Sequence, residues 1–117
     1  LQSGYDLALV HLEAPDECAH RGDWKGKIKA IEILDSMAGA LHIGLETLAD
    51  HYRLLVMSDH ATPVSTRFHS ADPIPFFIYD SQTQTGCGLP FNERTAASTR
   101  CQIRGDKLLS LLLEHRF

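Results

Sequence analysis

The sequence contains no apolar run long enough to cross a membrane. Its longest is Leu111-Leu112-Leu113, with Leu108 and Leu109 close by, far short of the roughly 20 residues that a spanning helix needs. No segment has the basic, apolar, small-residue order of a secretory signal. Basic residues are also few: 11 Lys and Arg stand against 15 Asp and Glu, for a formal net charge of −4. No basic patch emerges, which excludes nucleic acid as the expected partner. Cysteine is sparse: Cys18, Cys87 and Cys101 are odd in number and form no CxxC pair. That pattern excludes a disulfide framework and predicts reduced thiols in a cytoplasmic protein. Internal repeats and low-complexity segments are missing. So is an initiating Met, and Tyr5 to Val10 already reads as a core strand, so we expect a chain cut from a longer protein.

What is present is ordinary in bulk and unusual in detail. A chain of 117 residues, 44% hydrophobic and 22% charged, fits one soluble domain with a core of its own. Seven His residues, several of them close to Asp, direct attention to metal chemistry. Tyr5 to His11 is mostly apolar and predicts a buried strand of a parallel sheet. Ala14 to Asp23, rich in Pro, Asp, His and Gly, reads as a loop, with Asp23 placed to cap a helix starting at Trp24. Ile28, Ile31, Leu34, Ala38, Leu41, Leu45 and Leu48 then recur at spacings of three and four, the stripe of a helix packed on a sheet. Gly39 and Gly44 weaken its middle, which leaves one kinked helix or two shorter ones. Arg53 to Ser58 and Ile74 to Tyr79 predict two more strands, with Pro75 suited to a first residue or an edge. Ser81 to Leu89 reads as a turn or loop, Asn92 to Ser98 as a short helix and Gly105 to Glu114 as a final one. The expected fold is therefore α/β, a mostly parallel sheet flanked by helices. In such sheets ligands gather at the carboxyl ends of the strands.

Three clusters carry candidate chemistry. Asp16 and His20 are four residues apart and share a face if the segment turns helically. They offer one oxygen and one nitrogen, a mix suited to Mn²⁺ or Zn²⁺ more than Ca²⁺. Taken alone, the pair is a weak signal, and a loop in which Asp16 caps a turn and His20 is solvated is the plainer reading. Asp59 and His60 follow the second strand directly; neighbours there splay apart unless the backbone turns. His69, in a loop, gains its case from the company of the other four. Two carboxylates and three imidazoles nearly fill two metal shells, an arrangement that positions an attacking oxygen and stabilises a leaving one. His11 and Glu13 are candidates for orienting those ligands. Cys18 reads as a packed thiol, Asp72 before Pro73 as a turn residue, and His42, His51 and His115 as helix-surface or helix-end residues. Lys25, Lys27 and Lys29 read as a solvated face.

In order, Glu13-Ala14-Pro15-Asp16-Glu17, His20, Gly22-Asp23, Lys27 to Glu32, Ser58 to Val64 and His69 to Phe76 resemble the carboxy-terminal part of cofactor-independent phosphoglycerate mutase. The element Asp59-His60-Ala61-Thr62-Pro63 is similar to that of the archaeal-type branch. The resemblance runs from Tyr5 to Leu113. It departs from the family at Cys18, Arg21 and Ala61, none of them a ligand position. It implies an alkaline-phosphatase-like core fragment: residues 1–117 as one domain, lacking the amino-terminal part of the metalloenzyme domain and the substrate cap. It also implies two divalent ions (Mn, Zn or Mg), with Asp16, His20 and His69 on one and Asp59 and His60 on the other. The implied reaction interconverts 3-phosphoglycerate and 2-phosphoglycerate through a phosphoserine. The nucleophilic serine would lie upstream, and Ser3, Ser58 and Ser65 do not match it. Implied partners are phosphoglycerate and the absent amino-terminal part; no membrane is implied. A phosphatase, phosphodiesterase or kinase-like relative on the same core, and a non-catalytic metal-binding module, are the alternatives.

Overall fold

Asp23 separates the first helix from the second. Its backbone N–H reaches the Cys18 carbonyl at 2.8 Å, and its Oδ1 accepts from the N–H of Gly26 at 2.9 Å, the cap expected of it. In the computed structural model, which describes residues 4–83, 86 and 88–114, the elements are α1 (Ala14–His20), α2 (Trp24–Leu48), β1 (Arg53–Met57), β2 (Phe76–Asp80), α3 (Glu93–Ser98) and α4 (Gly105–Glu114). Cys87 and His115 lie outside the described residues.

The expected loop from Ala14 to Asp23 is in fact mostly helix. Pro15 stands in the first turn with Asp16 and Glu17, where a missing N–H costs nothing and acidic groups meet the positive end of the helix dipole. The Glu13 carbonyl accepts from the N–H groups of Asp16 and Glu17 at 2.9 and 3.0 Å. Residues that read as loop-formers are here helix-start signals.

Tyr5 to His11, expected as a buried strand, forms no ladder among the described residues, and Leu9 is 89% exposed. A strand exists through its partner's hydrogen bonds, and among the described residues no strand pairs with this segment.

The chain divides into two units: residues 1–36 with 62–69, and residues 37–61 with 70–117. In the first, Ala19 is fully buried, with Cys18 and Thr62 nearly so. In the second, Tyr52, Leu108 and Asp80 are the buried side chains.

Helix α2 runs unbroken for 25 residues despite its glycines. A Cβ added at Gly39 or Gly44 would meet no atom within 4 Å. We therefore expect Gly39→Ala and Gly44→Ala each to raise stability by about 0.5–1 kcal/mol, read as a higher melting temperature.

The sheet corrects the parallel expectation. Strands β1 and β2 pair antiparallel, with Arg53 opposite Asp80, Leu55 opposite Ile78 and Met57 opposite Phe76. No parallel pair occurs among the described residues. A parallel pair needs a crossover, usually a helix, and no helix lies between Met57 and Phe76; that segment instead doubles back through a bridge between Ala61 and Ser70.

On one face of the ribbon, Phe77 meets Phe91 edge-on at 4.9 Å, and Tyr79 meets His42 at 4.8 Å. The Tyr52 hydroxyl lies 2.7 Å from His42 Nδ1. His42 is thus a packed partner of two tyrosines, not a plain helix-surface residue. His51 likewise departs from that reading: its Nε2 is 3.2 Å from Asp80 Oδ1. On the other face Arg53 Nε donates to Asp80 Oδ2 at 2.6 Å, and its guanidinium also reaches the Leu112 carbonyl of α4 at 2.7 Å. Among the described residues no helix is long and apolar enough to cross a membrane. Cys18 and Cys101 are free thiols.

Candidate metal centre

Because α1 is a helix, Asp16 and His20 stand one turn apart on the same face. Asp16 Oδ2 lies 3.2 Å from His20 Nε2. The loop of residues 62–69 belongs to the same unit and delivers the third group. His69 Nε2 is 3.1 Å from His20 Nε2 and 3.6 Å from Asp16 Oδ1. One donor atom from each residue falls within 4.8 Å of the others. Ligands about 2.1 Å from an ion sit roughly 3.0–3.4 Å from one another in octahedral or tetrahedral shells. The His20–His69 and His20–Asp16 Oδ2 spacings fall in that range, and the approach of His69 to Asp16 Oδ1 is slightly longer.

Tautomer state follows from the surroundings. His20 Nδ1 lies 2.7 Å from the Arg67 carbonyl, which can only accept, so Nδ1 carries the proton. In the neutral ring Nε2 is then the nitrogen with the lone pair, on the side of Asp16 and His69, the arrangement that a metal-binding imidazole needs. Asp16 is held in turn by the Thr62 hydroxyl, which donates to Oδ1 at 2.6 Å. Lys27 Nζ donates to the Thr62 carbonyl at 2.7 Å. Lys27 is half-buried and so does not belong to the solvated face read for Lys25, Lys27 and Lys29.

Arg67 adopts a left-handed φ of 60°, a conformation that costs a non-glycine residue free energy. That conformation turns its carbonyl to His20. Its guanidinium lies over Gly22, where a Cβ would come within 2.7 Å of Nε. Gly22 itself has φ 73°. Both facts demand glycine, so Gly22→Ala should lower stability by about 1–2 kcal/mol, measured by urea unfolding, and should displace Arg67.

Asp59 and His60 belong to the other unit. The backbone bends where they sit, so the two side chains converge instead of splaying: His60 Nε2 is 3.3 Å from Asp59 Oδ2, and the His60 N–H donates to Asp59 Oδ1 at 3.0 Å. Together they present one oxygen and one nitrogen. His11 and Glu13, candidates for orienting the ligands, pair with each other at 3.7 Å and are largely exposed. Asp72 accepts from the Ser70 hydroxyl at 2.6 Å, a local turn contact. Nothing in the sequence marks Thr62, Lys27, Arg67 or Gly22 as a residue of the site. The one available signal for Thr62 was its place two residues after His60 in a motif already suspected.

The sequence is similar to known proteins over most of its length. Over 110 residues the chain is 41% identical to the 2,3-bisphosphoglycerate-independent phosphoglycerate mutase of Methanothrix thermoacetophila, covering 92% of this chain and 28% of that protein. It is 42% identical over 95 residues to the protein of that name from Pyrobaculum neutrophilum, covering 81% and 22%. It is 34% identical over 115 residues to the 2,3-bisphosphoglycerate-independent phosphoglycerate mutase 1 of Methanothermobacter thermautotrophicus, covering 97% and 27%. The chain therefore spans about a quarter of the length of these relatives. A search of solved structures gives no significant match. Residues 1–115 match the model of the metalloenzyme superfamily, nearly the whole chain, and this chain belongs to that superfamily.

Proposed function

We propose that this chain is the carboxy-terminal, metal-holding part of a 2,3-bisphosphoglycerate-independent phosphoglycerate mutase. In this reading Asp16, His20 and His69 hold one divalent ion, and Asp59 with His60 contributes to a second. The observation that carries it is the convergence of Asp16, His20 and His69 within 4.8 Å in a chain whose relatives bear that name. The donor mix suits Mn²⁺ or Zn²⁺, with Mg²⁺ as the harder alternative.

When bound, such ions neutralise charge on phosphoryl oxygens and lower the pKa of a coordinated nucleophile. The residues of this chain supply the frame. Asp16 brings negative charge, and His20 and His69 bring neutral nitrogens. The Arg67 carbonyl keeps the His20 proton on Nδ1. The serine that takes the phosphoryl group, and the segment that grips the glycerate, are assigned to the portion of the relatives that this chain does not span. Phosphoglycerate is the proposed substrate of the whole, with 3- and 2-phosphoglycerate interconverted through the phosphoserine. The chain by itself is assigned no turnover. The rest of the polypeptide is its proposed partner, for which Leu7, Leu9 and Val10 stand exposed.

The test is conversion of 3-phosphoglycerate to 2-phosphoglycerate by the intact polypeptide. We expect conversion to be abolished by chelation, restored by Mn²⁺, and lowered more than roughly 100-fold by Asp16→Asn. Hydrolysis of phosphate esters without interconversion would assign the chain to a phosphatase instead. Conversion that survives both chelation and Asp16→Asn would refute the metal assignment.

A further inference from the structure

We infer that Thr62 and Lys27 are positioning residues of the metal centre: together they fix the orientation of the Asp16 carboxylate and the height of the loop that carries His69. The inference rests on the metal reading given above and adds to it how the donor set is pre-arranged.

Thr62 is only 5% exposed, and its hydroxyl donates to Asp16 Oδ1 at 2.6 Å. That is the length of a hydrogen bond to an ionised oxygen, stronger than a neutral one. A carboxylate on a single rotatable stem can present either oxygen, or neither, to an ion. With Oδ1 held by Thr62, Oδ2 lies 3.2 Å from His20 Nε2 and Oδ1 lies 3.6 Å from His69 Nε2. Both oxygens are thus directed at the two imidazoles. At so buried a position water is a poor substitute for the lost hydroxyl.

Thr62 must itself be held, since it begins the loop. Lys27 supplies this, donating from Nζ to the Thr62 carbonyl at 2.7 Å. Lys27 is anchored in the first turn of α2, where its N–H reaches the Asp23 carbonyl at 3.0 Å, and Asp23 is in turn bonded to Cys18 of α1. The helix carrying Asp16 and the loop carrying His69 therefore share one reference point, the start of α2. The far end of the loop is fixed by the bond from His20 Nδ1 to the Arg67 carbonyl. Neither Thr62 nor Lys27 needs to touch the ion.

Calorimetric titration of the 117-residue chain with Mn²⁺ tests this, with circular dichroism as the check on folding. Thr62→Val should weaken binding roughly 10–100-fold, the usual effect of losing a group that orients a ligand. Thr62→Ser, which keeps the hydroxyl, should restore affinity to within about threefold of the original on the same grounds. Lys27→Met should weaken binding and Lys27→Arg should recover part of it. If the original chain binds Mn²⁺ and Thr62→Val binds it equally well, the positioning role is overturned and the metal reading stands. If the original chain takes up no Mn²⁺, both fall. Should Thr62→Val fail to fold, Lys27→Met decides the matter: unchanged affinity overturns the inference, and weakened affinity in a folded chain supports it.

Discussion

His20→Ala should weaken Mn²⁺ binding by more than roughly 100-fold, beyond the loss caused by removing a group that only orients a ligand. His20 stands at the centre of the donor set. Its Nε2 is 3.1 Å from His69 Nε2 and 3.2 Å from Asp16 Oδ2, whereas His69 comes no nearer than 3.6 Å to the other Asp16 oxygen, Oδ1. Removing it leaves a carboxylate and a single imidazole. The same substitution removes the bond to the Arg67 carbonyl and so loosens the loop by about 0.5–1.5 kcal/mol. His20→Asn separates the two effects. Its amide N–H reproduces the donor at the Nδ1 position but offers nothing where Nε2 was. We expect His20→Asn to keep most of the stability and to bind Mn²⁺ as poorly as His20→Ala. Calorimetry and urea unfolding on the two variants are the measurements. Near-original affinity in His20→Asn would show that His20 is not a ligand.

The largest loss of stability should come from Arg53→Ala, at about 3–5 kcal/mol. That is a large share of the 5–15 kcal/mol that holds an ordinary domain together. Arg53 and Asp80 are each only 8% exposed at the side chain, and their ion pair is 2.6 Å long. Removing the guanidinium leaves a buried carboxylate without its main counter-charge. The joint substitution Arg53→Met with Asp80→Leu should cost much less than Arg53→Ala, because no charge is then stranded. Urea midpoints of the three proteins test this ordering.

The same carboxylate predicts an acid limb. The Gln82 N–H, which donates to Oδ1 at 2.9 Å, and then Arg53 and His51 hold the Asp80 carboxyl at about 2, below its ordinary 3.8, against the opposing effect of burial. The folded state thus favours the ionised form. The stability it contributes is complete above the ordinary value and is lost as pH falls toward about 2. Urea midpoints measured down through that window should fall, and Asp80→Asn should flatten that fall while lowering stability at neutral pH.

Much of this was legible from residue spacing alone. The start of α2 followed from Asp23 beside an apolar stripe, and α4 from its leucines, because both signals are local. Strand β1 was read within a residue of its end, and β2 within two of its start. The failures are equally physical. Tyr5 to His11 has the composition of a core strand, but composition cannot supply a neighbour to bond with. Strand direction does not show in the composition of β1 and β2; its signal is the helix-free stretch after Met57, which lacks the crossover that a parallel pair requires. In the site, the donor residues were visible as Asp and His types at suggestive spacing. Thr62 and Lys27 were not, since a hydroxyl and an ammonium act here through contacts that arise only when a loop folds back on a helix.

Strands β1 and β2 pair only with each other among the described residues, so each has one rim that joins no further strand there. Such rims recruit further strands from other molecules. Handled in isolation, the chain should cluster as its concentration rises, through backbone contacts that surface charge does little to screen. A proline placed at Leu55, where it removes an amide from the ribbon, should alter that clustering more than any change of net charge. Light scattering against concentration would register the difference.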